Sequence, residues 1–202
     1  MFTSDAFQAC SQPNRVGVMA AFDTPPIDMP NDKPRRTSSP ADFGLLLLRF
    51  ATGATLIQAG LIKALDFDTT VAFLESGGWR MPTFAAALVT ATETAGGVLL
   101  VLGLLTPIAA CGALAAMIDA WAVNVSDGAF WSQPFNVPFM VAFAATALLF
   151  TGAGTYSLDS RLFGRPRWPG LVTFGLFIVG IAAAVATWIL LNGSNPIHVR
   201  GS

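Results

Sequence analysis

A chain of 202 residues has room for one domain. It is 53% hydrophobic and only 11% charged, with a mean hydropathy of +0.60; a soluble domain carries about 25% charged residues, so a lipid-facing surface is expected instead of a water-facing one. The net charge of -1 offers no basic field, which points away from nucleic acid.

Residues 1–42 differ from the rest. They hold Pro13, Pro25, Pro26, Pro30, Pro34 and Pro40, scattered aspartates and the cluster Lys33, Arg35, Arg36, without an apolar stretch long enough for a signal-peptide core. They read as a disordered cytoplasmic tail, within which Met19 and Met29 are alternative starts.

Five apolar segments follow, near Gly44–Leu65, Thr83–Leu105, Pro107–Val125, Val137–Gly152 and Gly170–Leu191. A membrane span takes about 20 apolar residues, and the fourth segment is short of that. Only Thr106 and Pro107 separate the second from the third, so those two helices must be antiparallel neighbours. Between the first two segments, Asp68 can cap a short interfacial helix that ends at Gly77 or Gly78. Trp79, Trp131 and Trp168 fall at span ends, where indoles commonly anchor to headgroups. The expected fold class is therefore all-α: a polytopic transmembrane bundle with a tail at 1–42, a four-helix membrane domain at 43–162, and an added span with a short external tail at 163–202.

Four ionisable side chains fall inside these spans: Arg49, Lys63, Glu93 and Asp119. Charge at membrane depth is costly and faces the bundle interior or a cavity. Arg49 and Lys63 are 14 residues apart, nearly four turns, and share a face. Counted from the helix ends, both lie near enough to an interface to snorkel. Glu93 sits near the middle of the second span and must be paired, hydrogen-bonded or protonated; Arg49 is its expected partner. Gly96 and Gly97 would let another backbone approach. Gln58 and Asn124 add polar groups to the same outward half. The other readings are a register-fixing ion pair for Glu93 and near-interfacial solvation for Asp119. Cys111 reads as a packing residue. Cys10 and Cys111 form no CxxC pair, and the single histidine, His198, stands close to the C-terminus, so no metal site or dithiol relay is expected.

In these segments the sequence resembles the DoxX family of membrane proteins. The resemblance is carried by Leu48-Arg49-Phe50, Gly60-Leu-Ile-Lys63, Glu93-Thr-Ala-Gly96-Gly97, Gly103-Leu-Leu-Thr106-Pro107, Gly128-Ala-Phe-Trp131 and Gly154-Thr-Tyr156-Ser157-Leu158-Asp159, six motifs in register between about residues 44 and 162. It implies a core of four transmembrane helices, with the fifth span and the proline-rich tail outside it. Relatives often carry a histidine near the end of the third helix, where this chain has Asn124, so imidazole-based proton chemistry does not carry over. The family includes a subunit of a thiosulfate:quinone oxidoreductase and membrane anchors for superoxide dismutase and a sulfurtransferase. The resemblance thus implies a membrane subunit or anchor of a redox or oxidative-stress assembly, with a quinone-binding pocket around Arg49, Lys63 and Glu93. No flavin, nicotinamide or metal motif is present, so independent catalysis is not expected and electrons would come from a soluble partner. A small-molecule transporter or permease and a non-catalytic scaffold are the competing readings; no pair of broken helices supports the transporter.

Orientation follows from basic residues in short loops. Lys33, Arg35 and Arg36 precede the first span, and Arg161, Arg165 and Arg167 separate the last two. Five spans in a bacterial inner membrane then place the N-terminus in the cytoplasm and the C-terminus outside. A reporter enzyme fused after Ser202 is expected to be active outside the membrane; a cytoplasmic signal would mean that one segment fails to cross.

Overall fold

A computed structural model describes residues 39–126 and 133–194 of the chain. Residues 1–38 of the expected tail, with the basic cluster Lys33, Arg35 and Arg36, and Cys10, Trp131 and His198 lie outside the described residues, whereas residues 39–42 form the cap and first turn of the first helix.

The described chain is helical throughout. Helix α1 (Pro40–Leu65) begins at a capping box: Asp42 N–H donates to the Ser39 hydroxyl, and the Asp42 carboxylate accepts from Ser39 N–H, with Pro40 in the first turn. The helix therefore starts several residues before its apolar run. Short helix α2 (Phe67–Ser76) follows. Its cap is Asp66, accepting from Thr69 N–H, and not Asp68; the α1 geometry breaks at Asp66, and the cap falls at the break. Helices α3 (Pro82–Leu102) and α4 (Thr106–Ser126) are joined by residues 103–105. Helix α5 (Val137–Thr151), the turn α6 (Leu158–Leu162) and α7 (Gly170–Thr187) complete the chain, and α7 closes with a π-helical turn over Trp188–Asn192.

Among the described residues, four helices are long and apolar enough to cross a membrane: α1, α3, α4 and α7 with its π turn. At 15 residues, α5 is about 22 Å long, less than a hydrocarbon core of about 30 Å. Helices α1, α3, α4 and α5 pack in a ring, each against the next, and α7 lies against α4 and α5. One apolar core runs through the ring, around Leu56, Leu100, Leu114, Leu148 and Leu149.

The α1–α3 contact is built on glycine. A Cβ at Gly53 would lie 2.7 Å from the Gly97 carbonyl oxygen, one at Gly97 2.9 Å from Ile57 N, and one at Gly60 2.8 Å from Thr94 N. Such backbone approach is how helices associate without a hydrophobic driving force between them. Gly97 acts as its motif suggests, whereas Gly96 meets only Ala109 O at 3.8 Å. Cys111 packs at the α4–α7 contact, its thiol donating to Leu176 O at 3.2 Å, with Gly180 admitting its backbone.

The seam is directly testable. Gly60→Val must displace Thr94, at an overpacking cost of roughly 1–3 kcal/mol. The thermal midpoint of the purified protein is expected to fall by about 5 °C or more. Gly175→Val, where a Cβ meets nothing within 4 Å, is the matched control and is expected to leave the midpoint unchanged.

Candidate functional site

The glycine seam sets depth. Gly60 lies against Thr94 and Ile57 against Gly97, so the second half of α1 runs beside the middle of α3. Lys63 is thereby carried to the level of Glu93, well away from the membrane edge that counting along α1 suggests. Its ammonium donates to Glu93 Oε2 at 2.6 Å, the one salt bridge among the described residues. Lys63, and not Arg49, is the partner of Glu93. Glu93 is 1% exposed, while the Lys63 side chain keeps 30% of its surface accessible.

That accessible surface faces a cavity of about 500 Å³. It is enclosed by the last turns of α1, by α2, by the middle of α3, by the second half of α4, and by residues of α5 and α7. Its lining is mostly apolar, including Leu56, Leu74, Trp79, Met117 and Val141. Lys63, Glu93, Asp119 and Asn124 interrupt it, with hydroxyls from Thr55, Thr70, Thr92 and Thr187. Asp119 is half-buried in this wall, with no hydrogen bond or ion pair to any described residue. Asn124 is exposed, and its amide donates to Ala120 O at 2.8 Å. Apolar walls around a few placed polar groups, in a volume of a few hundred Å³, are the ordinary form of a small-molecule site.

Four of the six polar residues singled out in the sequence therefore meet at one cavity, and two do not. Gln58 is exposed on the opposite side of α1. It lies nine residues from Arg49, which at about 100° per residue is half a turn around the helix. Arg49 is fully buried, but at the other end of the seam. Its guanidinium lies against Gly103, and Nη2 donates to the Tyr156 carbonyl.

The group that Arg49 joins is a structural knot. The Asp159 carboxylate accepts from Leu105 N–H at 2.7 Å and Thr106 N–H at 2.9 Å, capping the start of α4, and its own N–H donates to Gly103 O. The cap holds a reversal that needs left-handed backbone at Gly103 (φ 65°) and Leu105 (φ 48°). Asp42 extends the knot by accepting from Thr155 N–H at 3.0 Å. Asp159 lies outside the apolar segments, so a search for charge within spans passes over it; its signal was the closing Tyr156-Ser157-Leu158-Asp159 motif.

At the opposite end, Trp79 does not face headgroups. It is buried and packs edge-to-face on Trp188, with ring centroids 5.7 Å apart. The π turn docks on this loop: Arg80 N–H donates to Leu191 O at 2.7 Å, and the Asn192 amide to Gly77 O at 3.2 Å. Trp168 is half-buried beside Phe163.

A multi-pass helical membrane protein with an ion pair and a free carboxylate on an internal cavity is the class these features define. The DoxX family model matches residues 44–126, from α1 to the end of α4. A Bacillus subtilis (strain 168) relative named "Putative oxidoreductase CatD" is 30% identical over 122 residues, covering 60% of this chain and 89% of the relative. An Escherichia coli (strain K12) relative named "Inner membrane protein YphA" is 33% identical over 138 residues, covering 59% of this chain and 95% of the relative. The chain belongs to the DoxX family. No solved structure matches it.

Removing one partner of a buried pair costs about 3–5 kcal/mol, and less where the survivor reaches a cavity, as Lys63 does. Glu93→Leu is therefore expected to lower the thermal midpoint, and Lys63→Met added to it to restore most of the loss. Asp119→Asn is expected to stay within about 0.5 kcal/mol of the parent, since the carboxylate has no partner among the described residues to lose. A large destabilisation by Asp119→Asn would show that Asp119 is structural.

Proposed function

We propose that this protein is the membrane-embedded subunit of a redox assembly, and that its cavity receives the polar head of a quinone-type lipophilic ligand. The observation that carries this reading is Asp119, a carboxylate without a partner among the described residues in the wall of a cavity otherwise suited to an apolar molecule. A buried polar group left unpaired is costly, and a ligand hydroxyl would satisfy it. Of its three donors, Lys63 gives one to Glu93 Oε2 and one to Ala59 O, and the third can meet a ligand carbonyl. Trp79 and Met117 offer a ring face and a polarizable sulfur to a flat head group. Such a ligand would supply electron-carrying chemistry; the chain's own residues would bind and orient it and keep water out. A relative's name as an oxidoreductase agrees with this assignment.

The electrons would come from a soluble oxidoreductase held at the membrane; a partner of the superoxide dismutase or sulfurtransferase type would be anchored there without feeding the ligand, since dismutation and sulfur transfer release no electrons. In the orientation that keeps Arg161, Arg165 and Arg167 in the cytoplasm, the Arg49–Asp159 end is cytoplasmic and the cavity lies in the outer half. The docking of the π turn on residues 77–80 covers that outer end, which favours a binding site over a transport path.

Trp79 provides a direct readout, because quinones quench indole fluorescence on contact. A short-chain quinone titrated into the nanodisc-embedded protein is expected to quench saturably, and Trp79→Phe to remove that component. Asp119→Asn is expected to weaken by about tenfold the apparent affinity for the quinol form, which competes with the quinone and alone carries the hydroxyl from which Asp119 can accept a charge-assisted hydrogen bond. Quenching that never saturates, or equal quinol affinity in Asp119→Asn, would overturn the proposal.

A further inference from the structure

Gln58 is an exposed carboxamide in the wrong solvent. The glycine contacts place it level with residues 94–97 of α3, about 5 Å from that helix's midpoint. No hydrogen bond to any described residue reaches it. At that depth lipid supplies neither donor nor acceptor, and the side chain is too short to reach an interface.

We propose that α1 carries a two-fold dimerisation face centred on Gln58, and that its occupant is a second copy of this chain. The amide offers both donors and an acceptor. Across a two-fold axis each Gln58 oxygen meets the other copy's NH₂ group, so both are satisfied by the same residue in an isologous contact. The surrounding surface fits this use. Phe50, Ala54, Gln58, Leu61 and Leu65 fall within about 80° of the α1 circumference. Phe50, Leu61 and Leu65 are 60%, 46% and 87% exposed. Ala54, one turn from Gln58, is small enough to let two helices approach closely. The stripe holds no ionised group, so two copies meet without like-charge repulsion. The adjacent face of α1 is committed to α3 through Gly53 and Gly60, and Ala59 and Lys63, which line the cavity, lie on the side away from the stripe, so dimerisation would leave the cavity intact. The surface is independent of what the cavity binds.

Full-length chains labelled with donor or acceptor fluorophores and mixed in liposomes report association through energy transfer. Gln58→Leu is expected to raise the dissociation constant about tenfold, and Gln58→Asn, which keeps an amide, to stay within about threefold of the parent. In a chain whose Cys10 and Cys111 are replaced by Ser, Leu61→Cys is expected to give a disulfide-linked dimer in native membranes, whereas Ile178→Cys on the exposed face of α7 should not. The proposal is overturned by an unchanged dissociation constant in Gln58→Leu. It is also overturned by Leu61→Cys cross-linking to no second copy, or to a different protein in its place.

Discussion

An ammonium and a carboxylate held together at the middle of a membrane span are the constraint around which this bundle is arranged. Neither Lys63 nor Glu93 can be left alone in hydrocarbon, so α1 and α3 must stay in one register. That register comes from Gly53, Gly60 and Gly97, which let the two backbones approach until Lys63 Nζ and Glu93 Oε2 are 2.6 Å apart. Pairing and close approach require each other: a Cβ at Gly60 would strike Thr94, next to Glu93. The cavity follows, because the pair leaves one polar wall in an apolar bundle and the second half of α4 presents Asp119 to the same space.

The two ends of the bundle are fixed by different devices. At one end Asp159 caps α4 and Arg49 lies against the same Gly103, so a loop after α5 locks the α3–α4 reversal. Both charges are fully buried, yet they sit about 20 Å along α1 from Lys63 and have no part in the cavity. At the other end, the π turn of α7 docks on the loop between α2 and α3 through Trp188, Leu191 and Asn192. Helix α7 lies beyond the residues matched by the family model, which end at residue 126, but it closes part of the cavity with Ala183 and Thr187.

Much of this was legible in the sequence, and the failures have identifiable causes. The all-helical class, the antiparallel α3–α4 reversal and the need of Glu93 for a partner all follow from composition and spacing. Counting depth from the helix ends points to Arg49 as the partner of Glu93, whereas the glycine seam brings Lys63 to it. Helix α1 begins at the Ser39 cap and its first turns run past the end of α3, so Arg49 lands beside Gly103 and Lys63 beside Glu93. Gly53 and Gly60 held that information, since two glycines seven residues apart mark a helix contact. Depth alone places Gln58 with the other polar groups, but helical geometry sets it half a turn around α1 from Arg49. Its place at a span end points Trp79 to the headgroups, and nothing near it in sequence announces Trp188, over a hundred residues away. The carboxylate that caps α4 lies in a turn after α5, where no periodic pattern points to it.

The functional reading rests on separating two kinds of buried charge: Arg49 and Asp159 hold backbone, whereas Lys63, Glu93 and Asp119 border space. Exchanging the charges of the central pair tests this most directly. Lys63→Glu and Glu93→Lys, each alone, place two like charges at mid-depth and are expected to abolish accumulation of folded, detergent-extractable protein. The exchanged double variant, Lys63→Glu with Glu93→Lys, is expected to recover it substantially, because the attraction is restored at the same place. Recovery no better than that of either single variant would contradict the pairing on which the account depends.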